Sequence, residues 1–121
     1  MVDDVSIEVA PGEIVCLLGP SGCGKSTTLR IAAGVERQDA GAVAIDGETV
    51  SDARRHRPPE ARNVGLVFQD FALFPHLKVG ENVAFGLKRA ERAGHAARVE
   101  ALLRQVGLGG YGAKYPHQLS G

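Results

Sequence analysis

The sequence has no excess of charge of either sign, since 14 lysines and arginines offset 14 aspartates and glutamates over 121 residues. Without a global positive field there is no long-range pull toward nucleic acid or anionic lipid, and no nucleic-acid partner is expected. Cysteine is scarce. Cys16 and Cys23 lack CxxC spacing and a companion pair, which excludes a zinc knuckle and a secreted disulfide framework and favours a reducing compartment. The start, Met1-Val2-Asp3-Asp4, has no basic stretch followed by an apolar core, and the longest apolar run, Ile14 to Leu18, is far too short to cross a bilayer. A soluble, cytosolic chain with a single modest core is expected. Repeats, low-complexity tracts and a clear linker are also missing.

Two features carry no chemistry on this reading. His56, His76, His95 and His117 are scattered without metal-ligand spacing and are expected at the surface. Arg54-Arg55-His56-Arg57 runs straight into Pro58-Pro59-Glu60 and reads as a solvated loop.

What is present has the order strand, loop, helix. Val5, Ile7 and Val9 alternate with polar residues as in a strand with one wet face, and Pro11-Gly12 turns the chain. Ile14 to Leu18 is uninterrupted and apolar, as expected of a parallel strand buried on both faces. Beyond the glycine-rich stretch 19–24, Leu29, Ala32 and Ala33 recur at helical spacing until Gly34 offers a stop. Val43 and Ile45, then Asp46-Gly47, then Thr49-Val50 predict a hairpin. Val64 to Phe68 is a second candidate parallel strand. Val79, Val83 and Leu87 predict a helix. So do Ala96, Val99, Leu102, Leu103 and Val106, with a Glu100–Arg104 pair on the polar face and Gly107 as a stop.

Gly19-Pro20-Ser21-Gly22-Cys23-Gly24-Lys25-Ser26 matches, without a mismatch, the phosphate-binding pattern of glycine, four residues, glycine, lysine and serine or threonine. Its glycines let backbone N–H groups turn inward, and those donors join the positive end of the following helix in a concave anion site. Lys25 supplies a mobile cation to the terminal phosphates. Ser26 is expected to ligate Mg²⁺, which prefers hard oxygen ligands, and Thr27 to add a secondary phosphate contact. The pattern stands between a strand signal and a helix signal, the context it requires. It does not by itself separate kinases, GTPases, helicases and transporter ATPases.

The longer string from Gly12 to Arg30 resembles the Walker A region of ATP-binding cassette importers. Val64 to Leu77 resembles their Q-loop, and Tyr115-Pro116-His117-Gln118-Leu119-Ser120-Gly121 resembles the start of their signature motif. The three occur in family order across nearly the whole chain. Residues 30–36 and 68–77 are most similar to ferric-iron importers, with polyamine, sulfate and sugar importers next.

The resemblance implies an α/β P-loop NTPase core with a partial parallel sheet, a small antiparallel β subdomain and the start of an α-helical subdomain. Residues 1–121 would be a partial nucleotide-binding domain truncated at the signature. It implies ATP and Mg²⁺ as ligands and, in the complete protein, ATP hydrolysis that powers import, of ferric iron on the nearest likeness. Gln69 would complete the Mg²⁺ shell and sense the γ-phosphate or attacking water. Ser120 and Gly121 would reach the nucleotide of a second ATPase subunit across a dimer. The region Phe71 to Phe85 would border the groove that receives the transmembrane permease, for which the alternative at Phe71, Leu73, Phe74 and Phe85 is ordinary core. A cytoplasmic subunit, peripheral on the inner face of the membrane, follows.

The family places the rest of the signature, the Walker B aspartate, the catalytic glutamate and the switch histidine beyond Gly121, and an adenine-stacking aromatic before the first strand, where Met1 here precedes Val5 directly. The 121 residues alone are therefore expected to show no turnover and at best weak nucleotide binding, and Ile14 to Leu18 to present an unpaired apolar edge. The competing readings are a soluble cassette protein acting on ribosomes or DNA, which the lack of a basic extension disfavours, and a non-catalytic nucleotide-binding module that ends at Gly121.

Overall fold

Nine consecutive residues after the glycine-rich stretch, Lys25–Ala33, form the first helix, α1. The computed structural model describes residues 2–87 and 94–119, which fall into two units, Met1–Val67 and Phe68–Gly121. In the first unit α1 ends where the sequence predicts. Gly34 takes a left-handed φ of 90°, and its N–H donates to the carbonyls of Arg30 at 2.9 Å and Ile31 at 3.2 Å. Glycine has no Cβ to clash in that conformation, so it closes the helix at little cost.

The predicted hairpin also forms. Strand β1, Val43–Ile45, pairs antiparallel with β2, Glu48–Ser51, and Ile45 stands opposite Glu48. Asp46 and Gly47 between them have φ of 53° and 76°. Two positive φ values give the turn whose twist matches that of the flanking strands. β2 then buries Val50 and Ser51.

The parallel strands do not form. Residues 5–9, 14–18 and 64–68 adopt no strand, and among the described residues the sheet consists of β1 and β2 alone. Ile14 and Leu18 are each 91% exposed and Val67 is 92% exposed. A parallel strand cannot close on an adjacent turn, because its backbone groups need partners delivered by a crossover of a dozen or more residues. No such partner stands beside these segments among the described residues, so their apolar composition is not converted into burial.

In the second unit α2 spans Val79–Ala84 and α3 spans His95–Gln105. The amide of Lys78 donates to the Glu81 carboxylate at 2.7 Å, while the first helical amides, those of Val79 and Gly80, donate to the carbonyls of Lys114 at 2.7 Å and Gly112 at 2.9 Å. Helix-start donors that lack intrahelical acceptors are thus satisfied by a neighbouring segment. The core consists of Val79, Val99 and Leu103, with Ala84, Leu108 and Leu119 packed on it. The buried stripe of α3 is narrower than the spacing predicts: Leu102 and Val106 face solvent, and Leu87 lies beyond the end of α2. Glu100 and Arg104 pair at 3.4 Å as expected, and the Glu100 carboxylate also accepts the Gly110 amide at 3.0 Å.

Candidate functional site

The loop that leads into α1 is shaped by its glycines. A Cβ on Gly19 would lie 2.8 Å from the Cys23 sulfur, so a side chain there would force the exposed thiol to turn away. Gly22 and Gly24 are left-handed, with φ of 82° and 96°, and Gly24 is the residue from which α1 starts. Thr28 is the first residue whose amide closes onto the helix, donating to the Gly24 carbonyl at 2.9 Å. The N–H groups of Lys25, Ser26 and Thr27 therefore have no intrahelical acceptor and sit at the positive end of the helix.

The side chains divide the work. Lys25 Nζ bends back over the loop and donates to the carbonyls of Gly19 and of Pro20, the latter at 3.2 Å. Thr28 Oγ1 is committed to the Gly24 carbonyl at 2.8 Å. Ser21, Cys23 and Ser26 are exposed, and Thr27 is half-buried. An ammonium, three open amides and a hydroxyl on one helix turn fit a polyphosphate with its hard divalent cation: nitrogen donors meet the anion, and the Ser26 oxygen suits the metal.

The other end of α1 is held by residues that no sequence motif marks. Arg62 is 3% exposed. It donates from Nε to the Arg57 carbonyl at 2.7 Å and from Nη1 to the carbonyls of Ile31 at 3.0 Å and Ala32 at 3.3 Å, and its Nη2 lies 3.2 Å from His56 Nδ1. The opposite ring nitrogen, His56 Nε2, is 3.2 Å from the Gly34 carbonyl, and Ser51 Oγ lies 3.3 Å from Nδ1 while donating to Gln38 Oε1 at 2.9 Å. His56, expected at the surface, is half-buried in this network. Burial first, then the charge of Arg57, lowers the pKa of Arg62.

The basic run is only partly the solvated loop expected of it. Arg54 and Arg55 are exposed, but their amides donate to Asp52 Oδ1 at 2.8 and 2.9 Å, and those hydrogen bonds hold the Asp52 carboxyl below its usual range. Arg57 pairs with Glu48 across the end of the hairpin, and that hydrogen bond lowers the Glu48 pKa. No sequence signal singled out Arg62.

In the second unit Gln69 is exposed in a turn closed by the Phe71 amide on the Phe68 carbonyl at 3.2 Å. Phe71 and Ala72 follow in left-handed conformations, with φ of 67° and 49°. Phe71, Leu73, Phe74 and Phe85 are all exposed, Phe71 to 77%, so the core alternative does not hold for them. Phe74 and Phe85 pack ring on ring at 4.5 Å between centroids. Asn82 fixes their loop by accepting the Phe74 amide at 2.9 Å and donating to the carbonyls of Phe74, Leu77 and Lys78 at 3.1, 3.2 and 3.1 Å. Ser120 and Gly121 lie outside the described residues. Gly19 to Thr27 are thus assembled on one turn of the first unit, and Gln69 belongs to the second.

The profile of the ABC transporter family matches residues 2–121. The chain is 53% identical over 122 residues to the sulfate/thiosulfate import ATP-binding protein CysA of Gloeobacter violaceus, covering 99% of this chain and 34% of that protein. It is 53% identical over 121 residues to the spermidine/putrescine import ATP-binding protein PotA of Methylococcus capsulatus, covering 98% of this chain and 30% of the relative. Against the Fe(3+) ions import ATP-binding protein FbpC 2 of Rhizobium meliloti the identity is 47% over 122 residues, covering 99% of this chain and 30% of the relative. The chain spans about a third of the length of the curated relatives it matches.

Proposed function

The chain belongs to the ABC transporter family, and on that premise we propose that it forms the MgATP-binding part of an importer's ATPase subunit. The observation that carries the reading is the turn from Gly19 to Thr27, where left-handed Gly24 opens α1 on three unpaired amides and the Lys25 ammonium lies over the same loop. On binding, Lys25 exchanges the carbonyls of Gly19 and Pro20 for phosphate oxygens, and the amides of Lys25, Ser26 and Thr27 gain the charged acceptor they lack. Gly19, Pro20, Ser21, Gly22, Cys23 and Gly24 line the anion. The Ser26 hydroxyl holds Mg²⁺, which supplies charge neutralisation at the phosphates.

The role of Gln69 as a Mg²⁺ and water-orienting residue, and that of Ser120 and Gly121 across a subunit dimer, rest on the resemblance of their segments and are proposed on that ground. In the intact protein, ATP hydrolysis drives import through a membrane permease, and the exposed aromatics between Phe71 and Phe85 form the docking region. No described helix is long and apolar enough to cross a membrane, which suits a subunit that reaches the membrane through a partner on its cytoplasmic face. Residues 30–36 and 68–77 point to ferric iron as the solute, while the relatives named for sulfate/thiosulfate and for polyamines match at higher identity. Ferric iron is accordingly one of three solute classes among which receptor and permease decide.

The test separates binding from turnover in the intact protein. Gln69→Ala is expected to leave the MgATP dissociation constant within about threefold and to lower kcat by about 100-fold or more, the size of effect typical of groups that position a proton or a water in the transition state. Unchanged kcat in Gln69→Ala would remove the assigned role, and absent MgATP binding by the unaltered protein would remove the function.

A further inference from the structure

Among the described residues α1 buries little apolar surface. Of its nine residues only Ala33 is buried, and Leu29 is half exposed to solvent. A helix that must present three amides to a phosphate needs its axis fixed along its length as well as in direction, because a displacement of about 1 Å at the reacting end is costly. The polar cluster at the far end of the helix supplies such a fix. The buried guanidinium of Arg62 ties two last-turn carbonyls of α1, Ile31 and Ala32, to the Arg57 carbonyl of the following loop. His56 bridges the guanidinium to the Gly34 carbonyl just past the helix, and a Cβ on Gly34 would lie 2.5 Å from Arg62 Nε, so the fit leaves no slack.

We propose that Arg62 is a positioning residue for nucleotide binding, fixing the axial place of α1 from its C-terminal end and so the place of the Lys25, Ser26 and Thr27 amides at its other end. This rests on the reading of the 19–27 turn as the phosphate site. The planar fork of arginine suits the role, because one side chain reaches the Arg57 carbonyl, the Ile31 and Ala32 carbonyls and the His56 ring in different directions. A lysine offers a single compact ammonium at the end of a flexible stem and cannot span the same set. A cation at the negative end of α1 also complements the helix dipole, in the same sense as an anion at the opposite end.

The test is MgATP titration calorimetry on the intact protein, at a temperature where circular dichroism gives every variant as fully folded, with Arg62→Lys as the gentle variant and Arg62→Gln as the second. Ser51→Ala serves as the control: Ser51 is buried in the same network and touches Gln38 and His56, but makes no bond to α1. The expected result is a roughly tenfold weaker MgATP dissociation constant in Arg62→Lys and at least that in Arg62→Gln. Ser51→Ala should lose melting temperature while keeping the affinity of the unaltered protein. Arg62 variants that bind MgATP as tightly as the unaltered protein would overturn the proposal, and so would equal weakening in Ser51→Ala, which would mark a general loss of stability. If the unaltered protein does not bind MgATP, the phosphate-site reading itself fails and takes the positioning role with it.

Discussion

Gly34 shows how much one residue can carry. Its left-handed φ closes α1, and the space its Cβ would occupy belongs to Arg62. Gly34→Ala therefore combines a disfavoured backbone region with a clash against a buried guanidinium, and a loss of about 1 to 3 kcal/mol of unfolding free energy is expected from the backbone alone. A urea midpoint within error of the unaltered protein would contradict that. Asp52 gives a prediction with a sign. Hydrogen bonds from the Arg54 and Arg55 amides depress its folded pKa below the ordinary 3.8, so its contribution to stability is complete above that value and is lost as the pH falls through the lower folded one. Asp52→Asn cannot ionise. The drop in its urea midpoint between about pH 6 and about pH 3 should be smaller than in the unaltered protein, and an equal drop would show that the carboxylate adds nothing. At this scale the glycine-rich turn and the helix start after it were legible, since left-handed Gly22 and Gly24 and the first helical residue, Lys25, all fall within the motif. Arg62 and His56 were not, because nothing in a linear string announces that an arginine will be buried beneath a helix more than twenty residues earlier.

Short-range elements follow the sequence and long-range ones do not. The hairpin of β1 and β2 forms on Asp46-Gly47 because its turn chemistry is complete within two residues. α1 likewise takes its start and stop from its flanking glycines, Gly24 and Gly34. Residues 14–18 and 64–68 carry the composition of parallel strands, but a strand of that kind is a property of its neighbours, and among the described residues none pairs with them. The stripe on α3 was readable in period but not in width. Val99 and Leu103 meet Val79 of α2, while Leu102 and Val106 do not reach it. That small core makes the second unit sensitive to a single cavity. Leu103 is 3% exposed, so Leu103→Ala is expected to cost about 2 to 5 kcal/mol. Hydrogen exchange would check it: amides of α2 and α3 should lose protection together, and unchanged protection in α2 would show that the two helices are not stabilised by a shared contact.

For the 121 residues as a whole the formal charges balance, so no global field selects a partner. The family likeness runs from residue 2 to residue 121, wider than the phosphate motif, and it was legible from the order of three segments along the chain. The solute was not legible, because relatives named for three different solutes share this region at comparable identity. The proposed permease docking at Phe71 to Phe85 and the proposed dimerisation through Ser120 and Gly121 rest on the same family likeness as the proposed phosphate site. The decisive measurement is therefore equilibrium binding of MgATP to the intact protein with and without the Lys25 ammonium. Saturable binding that falls by at least about tenfold in Lys25→Ala is expected, since a hydrogen bond to a charged group contributes about 1.5 to 3 kcal/mol and the helix amides remain. Affinity that is the same in both proteins would contradict the account.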